Sequence, residues 1–260
     1  MYCANGIADK LYPLFEDFED SVLNSFFEGS FGNAYCDSLD VPMSAVIVSG
    51  DFYFCAGDIS LAPQAVKLSQ GNRYATFMPL NDKWAEALAA QDKRLFITKR
   101  FRTKLPENGF DLEVLKENAG RISQYPEYRL EPIDEVYYNK AKEQDWSAAF
   151  TSNFKDWDEF RRKAFGFVIT HNGEIISGMS CYTVYSKGVE IEVATDERYR
   201  LKGLAKICAG AFLAECLSRG LVPHWDARNE TSLAIAKKMG FEFKESYTAL
   251  EYKQEFFGKD

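Results

Sequence analysis

Three β-rich runs at residues 165–170, 175–185 and 189–195 constrain the fold of this chain more than any other feature. Each run is dense in β-branched and aromatic residues, and short turn sequences separate the runs. The first turn contains Asn172-Gly173, a dipeptide that favours the tight turn of a β-hairpin. The sequence therefore predicts three consecutive antiparallel strands.

The sequence after these strands predicts a helix, a strand, a second helix and one or two last strands. Apolar side chains at Leu204, Ile207, Cys208 and Ala211 recur at the spacing of one helix face, which predicts a helix over residues 203–218. The remaining predicted elements are a strand at 221–227, a helix at 230–239 with Asn229 as its N-cap, and one or two strands at 241–252. This order indicates a mixed α/β (α+β) fold, with a mainly antiparallel central sheet flanked by helices.

The first half of the chain has strands and helices of its own, but no motif that indicates chemistry. Residues 43–58 predict a β-hairpin, and Asn81 is a candidate N-cap for a helix that follows a short strand. The segment 102–126 is polar and carries two prolines, which is typical of a boundary. We therefore predict an additional N-terminal α/β domain at residues 1–120 and a second domain at residues 121–260.

Charge and composition exclude several classes of function. The net charge is −8 and the pI is about 5.0, whereas nucleic-acid binding depends on a basic surface, so we predict no nucleic-acid partner. Six cysteines form no CxxC pair and the chain has two histidines, so no metal site is expected. The N-terminal residues lack a signal-peptide pattern, and no apolar run of about 18 residues occurs, so we predict no membrane span. A cytoplasmic protein with reduced thiols is the simplest interpretation.

The sequence RLKGLA at residues 200–205 joins the third strand to the following helix and predicts an anion site. The first N–H groups of a helix have no partner within the helix, and the helix dipole makes this end positive. Gly203 lets a phosphate approach the backbone closely, Ala205 keeps the first turn narrow, and Arg200 and Lys202 add positive charge. These residues alone leave open the alternative of an ordinary helix start with solvated charges.

Two segments in this order resemble the signature of the GNAT superfamily of acyl-CoA-dependent N-acetyltransferases. The matching residues are Arg200, Gly203 and Ala205 after the strand, then Asn229, Ser232, Gly240 and Phe241 in the second segment. The sequence of this region is similar to sequences in the branch of the superfamily that includes zwittermicin A resistance proteins. The resemblance covers residues 126–255. Residues 1–120, whose pattern is loosely similar, are a candidate diverged copy of the same fold.

The resemblance implies an N-acetyltransferase that takes its acetyl group from acetyl-CoA and transfers it to a primary amine of a small molecule. The implied cofactor contacts are the pyrophosphate on the backbone of Arg200, Leu201, Lys202, Gly203, Leu204 and Ala205, the pantetheine arm along Val193, Ala194 and Thr195, and further contacts at Asn229 and Ser232. The thioester is then expected between the strand that ends at 195 and the strand at 222–227. A non-catalytic acyl-CoA-binding module and a protein-lysine acetyltransferase are the alternatives, and a homodimer is a further prediction.

Two carboxylates are the candidate proton acceptors for the attacking amine. Glu190 and Glu192 alternate with apolar residues and therefore share one face of their strand. Glu190 is favoured because bases in the family tend to lie early on this strand, and a solvent-facing polar edge is the alternative. The chain departs from the family at Ala236, where many members carry a tyrosine that serves as the acid. His224 is then either an acid or base or a packed strand residue, and Trp225 is either core or a pocket wall.

Overall fold

The structure is a computed structural model that describes residues 1–253. It contains two compact units, one made of Met1–Arg100 and the segment from Ser246 onward, the other of Phe101–Glu245. The elements that begin in the first unit are β1 (Tyr2–Cys3), α1 (Ala8–Phe15), α2 (Ser21–Phe27), β2 (Asn33–Cys36), β3 (Ser44–Ser49), β4 (Phe52–Gly57), α3 (Ala62–Leu68), β5 (Thr76–Pro79), α4 (Asp82–Ala89) and β6 (Leu95–Lys104). Those that begin in the second are α5 (Leu112–Gly120), β7 (Tyr128–Pro132), α6 (Glu135–Ala141), α7 (Trp157–Lys163), β8 (Gly166–His171), β9 (Glu174–Tyr185), β10 (Gly188–Thr195), α8 (Leu204–Arg219), β11 (Val222–His224), β12 (Asp226–Ala227), α9 (Glu230–Lys238) and β13 (Glu242–Tyr252).

The first unit is built on a sheet to which the end of β13 contributes. Strands β1 to β4 pair antiparallel in sequence order, β5 pairs parallel to β4, and β13 pairs antiparallel to β5. The β3–β4 pair confirms the hairpin predicted for residues 43–58. Asn81 caps α4 as predicted, since its side chain accepts a hydrogen bond from Trp84 N at 3.2 Å. Phe77, Trp84 and Leu250 are fully buried in the core of this unit.

The second unit is built on a five-stranded sheet with the order β11-β10-β9-β8-β7. Strands β7 to β10 pair antiparallel in sequence order, and β11 pairs parallel to β10. This arrangement confirms the three consecutive antiparallel strands and the mixed α/β fold class. The β8–β9 turn is Asn172-Gly173 with φ of 52° and 79°, the left-handed values that a tight hairpin turn requires. Helix α8 packs against this sheet through Ile207, Phe212 and Leu213.

The strand predicted at 221–227 is in fact two short strands with different partners. β11 pairs with β10, whereas β12 pairs antiparallel with β6 through Asp226 and Ala227. Trp225 lies between them, is buried, and accepts a hydrogen bond at its carbonyl from Thr103 Oγ1 at 2.8 Å. The chain changes partner at Trp225 because β6 offers a second pairing edge, which a local sequence pattern cannot indicate.

The division into units differs from the boundary predicted near residue 120. Residues 101–120 lie in the second unit because α5 packs closely on α8, where a Cβ at Gly210 would lie 2.5 Å from Leu115 O. The end of β13 lies in the first unit, paired with β5. The interpretation of residues 1–120 as a diverged copy of the second fold stays a prediction.

The described residues were also searched for membrane-spanning helices, metal-binding clusters and disulfides. Over residues 1–253, no helix is long and apolar enough to cross a bilayer, and no cluster of His, Cys, Asp and Glu side chains could hold a metal ion. All six cysteines are free, and Cys3 is the exposed one. The cytoplasmic location stays a prediction.

Candidate active site

The central geometric feature of the second unit is the point where β10 and β11 separate. The two strands pair at Gly188, Val189 and Glu190, and the last pair joins Glu190 to His224. Beyond it, β12 follows β6 instead. Within the described residues, the edge of β10 from residue 191 to residue 195 therefore has no paired strand, and we call the space beside this edge the gap. Backbone groups on such an edge can hydrogen-bond an extended ligand in place of a strand.

Glu190 lies at the apex of this gap and is already bonded there. Its Oε1 accepts a hydrogen bond from Asp226 N at 2.9 Å, and the residue is 6% exposed. The carboxylate thus takes a backbone N–H that β10 no longer pairs, since β11 has turned away. The side chain that the sequence favours as the proton acceptor therefore also holds the two strands together.

Glu192 lies on the same face of β10, two residues further along the gap. It is half-buried and stands opposite Ser180 of β9, whereas Glu190 stands opposite Thr183. The register of β9 and β10 shifts between these two pairs, so Tyr182 is the extra residue of a β-bulge. Bulges re-aim side chains next to active sites, and here the bulge lies between the two candidate carboxylates.

The predicted pantetheine contacts lie along the open part of β10. Val193, Ala194 and Thr195 are half-buried and pair with β9 on the opposite edge. Ser177 fixes this end of the strand, because its Oγ donates to Ala194 O at 3.3 Å and lies 2.8 Å from Thr195 Oγ1. The three residues thus form one firmly held edge beside the gap.

The loop after β10 has two residues in the left-handed region. Leu201 has φ of 64° and a fully exposed side chain, and Gly203, the N-cap of α8, has φ of 77°. A Cβ at Gly203 would meet no atom within 4 Å, and no side chain caps α8 among the described residues. Leu204 anchors the helix in the core, while Ala205 is half-buried. The first backbone N–H groups of α8 therefore have no side-chain cap, and helix starts of this kind can bind a phosphate group.

The approach to this loop is fixed by Asp196 and the arginines after it. Asp196 is buried and accepts hydrogen bonds from the Arg198 backbone N at 2.9 Å and from the Arg198 guanidinium at 2.6 Å. These contacts hold the pKa of the Asp196 carboxyl below its usual range. Arg200 Nε donates to Thr195 O at 3.3 Å. Arg198 is thus paired with a carboxylate, while Arg200 and Lys202 carry the positive charge of the loop itself.

Lys202 is held by an aromatic cluster that the sequence did not indicate. Tyr125 donates to Lys202 O at 2.6 Å, and Lys202 Nζ donates to Tyr128 Oη at 3.1 Å, which raises the pKa of the lysine. Lys202 Nζ also lies 5.2 Å from the ring centroid of Tyr199, whose hydroxyl is 3.2 Å from His171 Nδ1. These residues come from three separate segments, so no spacing in the sequence could have identified them. We call Tyr125, Tyr128, His171 and Tyr199 the aromatic cluster.

The two predicted contacts on the other side of the gap both have structural partners. Asn229 Oδ1 accepts from Ser232 N at 2.9 Å and caps α9, as predicted. Ser232 Oγ accepts from Trp225 Nε1 at 3.0 Å. Trp225 is buried and packs edge-to-face on Phe241, so it is a core residue at the wall of the gap. Asn229 itself is exposed at the start of α9.

The structure also shows which side chains cannot contribute. Ala236 is fully buried on α9, so this helix presents no hydroxyl at the family's tyrosine position. Cys208 is fully buried, and burial raises the pKa of its thiol to about 12, which disfavours a thiolate nucleophile. Tyr252, which follows α9 in sequence, is buried in the first unit against Ser69 Oγ at 2.7 Å.

The comparison with known families assigns this fold to a class of acetyl-CoA-dependent transferases. The profile of the GNAT acetyltransferase family matches residues 12–250, and the chain belongs to this family. Its members take the acetyl group from acetyl-CoA. The match includes residues 12–125, where the sequence alone shows no motif.

Individual relatives support the same assignment. The chain is similar to the Bacillus subtilis (strain 168) protein named Uncharacterized N-acetyltransferase YdfB, with 35% identity over 109 residues, 39% of this chain and 42% of that protein. The match thus spans less than half of that curated relative. The crystal structure of a GCN5-related N-acetyltransferase-like protein from Streptococcus suis 89/1591 is 32% identical, with a TM-score of 0.88 over 95% of this chain and 98% of that chain. A tandem GNAT protein from the clavulanic acid biosynthesis pathway shares the fold at 13% identity, with a TM-score of 0.55 over 95% of both chains.

Proposed function

We propose that the chain transfers the acetyl group of acetyl-CoA to a primary amine of a small molecule. The observation that carries the proposal is the gap where β10 and β11 part, with the uncapped N-terminus of α8 at its open end. An extended thioester needs both features at once: a strand edge for its pantetheine arm and backbone N–H groups for its pyrophosphate.

The proposed contacts follow the geometry of the gap. Residues 200–205 take the pyrophosphate, with Gly203 giving the close approach and Arg200 and Lys202 the charge. Val193, Ala194 and Thr195 offer their backbone to the pantetheine arm. Asn229 and Ser232 lie at the start of α9 and contribute to the opposite wall. The aromatic cluster keeps Lys202 and its carbonyl in place.

We propose that Glu192 accepts the proton of the attacking amine, directly or through one water. Glu190 instead holds β10 and the chain at Asp226 together at the apex of the gap. The amine must lose a proton to attack the thioester carbonyl, and a positioned carboxylate typically contributes about 10²–10⁴-fold to such a step. Glu190 accepts a hydrogen bond from Asp226 N at the last β10–β11 pair, whereas Glu192 lies two residues further along the strand, beyond that pair. Holding the amine against the carbonyl supplies much of the remaining rate.

The acceptor class rests on the resemblance to the branch of zwittermicin A resistance proteins and on charge. The net charge of −8 favours the approach of a cationic amine over an anionic one. An aminated antibiotic or metabolite fits both considerations. A non-catalytic acyl-CoA-binding module is the second candidate, favoured by the buried alanine at position 236.

The test combines calorimetry and turnover. Acetyl-CoA is titrated into the protein, and thiol release is then followed with a panel of ethanolamine, lysine, spermidine, glucosamine and an aminoglycoside. We expect binding and release with at least one amine. Binding without release by any amine would favour the binding module, and no binding would overturn both.

A matched pair of glycine variants locates the site. Gly203→Trp fills the approach to the α8 amides and should abolish acetyl-CoA binding. Gly220→Trp is the control, because Gly220 ends the same helix with φ of 66° and equally open space around a Cβ. Both variants carry the same backbone penalty of about 1–2 kcal/mol for a left-handed residue. Equal affinity in the two variants would remove the loop from the site.

A further inference from the structure

The chain after Phe150 covers one face of β9, and the reaction described above does not use it. Ser180 Oγ donates to Phe150 O at 2.7 Å, and Asn153 Nδ2 donates to Tyr182 O at 3.1 Å. Ser180 is the register partner of Glu192, and register partners point to the same face of a sheet. The chain from Phe150 to Asn153 therefore lies on the face to which Glu192 points.

Asn153 supports the β-bulge and keeps one polar atom unused. Its side chain is half-buried, and its Nδ2 donates to the carbonyl of Tyr182, the extra residue of the bulge. An asparagine side chain carries an acceptor oxygen as well as its N–H donors. Among the described residues, Asn153 Oδ1 accepts no hydrogen bond. Because the bond at Nδ2 fixes the amide, this oxygen is an oriented acceptor without a partner.

A buried hydroxyl nearby is a second, independent sign of a missing polar partner. Thr183 follows the bulge and is the register partner of Glu190, so it points to the face that Glu190 and Glu192 share. Thr183 is 2% exposed, and its Oγ1 has no hydrogen-bond partner among the residues that the structure describes. Most buried hydroxyls are paired with protein or with water, and an unpaired one is disfavoured. Asn153 and Thr183 thus each leave one polar atom without a partner on this face.

The charge on this face favours a cation. Residues 145–154 contain Asp145 and no lysine or arginine, and residues 180–184 contain no charged residue. Glu190 and Glu192 add two carboxylates on the same face. A cationic group is attracted to such surroundings, whereas an anionic one is repelled. An oxygen acceptor placed here therefore matches an N–H donor that carries positive charge.

We propose that the acceptor is a diamine, and that Asn153 Oδ1 binds its second, protonated amino group while Glu192 takes the proton of the reacting one. Thr183 Oγ1 offers a second oxygen to this group or to a water beside it. The inference rests on the proposed function and names the class of its substrate.

The strand geometry sets the length of the diamine. Asn153 is bonded at Tyr182, which is two residues along β9 from Ser180, the partner of Glu192. Strands rise about 3.4 Å per residue and lie about 4.8 Å apart, so the two amino groups are expected about 5–8 Å apart, which about three to five methylene groups span. The compound 1,4-diaminobutane therefore fits the site.

The first test measures binding and needs no turnover. Protein saturated with CoA is titrated calorimetrically with 1,4-diaminobutane, 4-amino-1-butanol and butylamine, which share one chain length and differ in the second group. We expect the diamine to bind about 10- to 100-fold more tightly than butylamine, because a hydrogen bond to a charged group is stronger than one to a neutral group. The amino alcohol should lie between them.

The outcomes separate this inference from the proposed function. If CoA itself does not bind, the proposed function fails and the inference falls with it. If CoA binds while butylamine binds as tightly as the diamine, the function stands and the diamine class is overturned. Tightest binding of the amino alcohol would overturn the diamine class as well.

A substitution at Asn153 tests its role in choosing the substrate. Asn153→Leu removes Oδ1 and should lower the ratio of kcat/KM for the diamine to that for butylamine about tenfold. A purely structural effect would lower both values equally and leave the ratio unchanged. The control is Asn139→Leu, because Asn139 Nδ2 also donates to a backbone carbonyl, Glu135 O at 2.9 Å, and its loss should keep the wild-type ratio.

A second variant keeps the test decisive if Asn153→Leu does not fold. Thr183→Val removes the unpaired hydroxyl, keeps the shape of the side chain, and should lower the same ratio about threefold. A wild-type ratio in every folded variant at these two positions would overturn the inference.

Discussion

At the scale of single residues, the two carboxylates on β10 are chemically alike but differ in their surroundings. Glu190 is buried and accepts a backbone N–H across the gap, while Glu192 is half-buried beside the bulge at Tyr182. A carboxylate that holds two strands together must keep its contact throughout a catalytic cycle. One that takes and releases a proton needs room for an amine or a water. These surroundings support a structural task for Glu190, which the sequence favours as the base, and the proton-accepting task that we propose for Glu192.

Substitutions at these positions should separate the two roles. Glu192→Gln should lower kcat about 100-fold with little change in stability, because the amide cannot accept the proton. Glu190→Gln should retain more activity, since its amide oxygen can still accept from Asp226 N. Glu190→Ala should destabilise the protein by about 1–3 kcal/mol, because a buried N–H loses its partner. Thiol release and urea unfolding measure these effects. A stable Glu190→Gln protein that is as slow as Glu192→Gln would make Glu190 the base.

At the scale of elements, the loop before α8 depends on residues far away in sequence. Its conformation includes a left-handed leucine, which costs about 1–2 kcal/mol and must be stabilised by neighbours. Tyr125 holds the loop from 77 residues away through Lys202 O, and Tyr128 holds the Lys202 ammonium. The loop is thus shaped before any ligand arrives, which reduces the entropy lost on binding.

Removing one of these supports should weaken cofactor binding. Tyr125→Phe deletes a single hydrogen bond, worth about 1 kcal/mol, so the Kd for CoA should rise about fivefold. Tyr137→Phe is the matched control, because it removes a tyrosine hydroxyl that donates to Glu131 at 2.7 Å, and it should leave the Kd unchanged. Calorimetry measures both. An unaltered Kd in Tyr125→Phe would mean that the loop keeps its shape without the aromatic cluster.

The sequence predicts those elements whose causes are local. The Asn172-Gly173 turn, the helix caps at Asn81 and Asn229 and the stripe of α8 all depend on neighbours a few residues apart. The change of strand partner at Trp225, the bond from Glu190 to Asp226 and the aromatic cluster depend on contacts between distant segments. A single sequence gives no signal for these contacts, so the sequence predicts the loop and the helix start at residues 200–205 but not the side chains that hold them.

At the scale of the whole molecule, the family match and the motif cover different parts of the chain. The profile spans residues 12–250, whereas the resemblance found from motifs covers residues 126–255. The first unit therefore belongs to the family without carrying a recognisable motif of its own. Its integrity depends on the end of β13, since Leu250 pairs with Phe77 and is fully buried beside it. Residues 1–100 and the end of β13 are thus both needed to complete this unit.

This arrangement predicts an asymmetric response to two substitutions on the same strand. Leu250→Ala should cost about 2–5 kcal/mol, because it leaves a cavity in the core of the first unit. Phe243→Ala, on the part of β13 that lies in the second unit, should cost much less, since Phe243 is 43% exposed. Hydrogen exchange followed by mass spectrometry reports the two units separately. In Leu250→Ala, peptides from β3, β4 and β5 should exchange faster while peptides from β8, β9 and β10 keep their protection. Equal loss of protection in both sets would mean that the two units unfold as one, and that the end of β13 stabilises the whole chain.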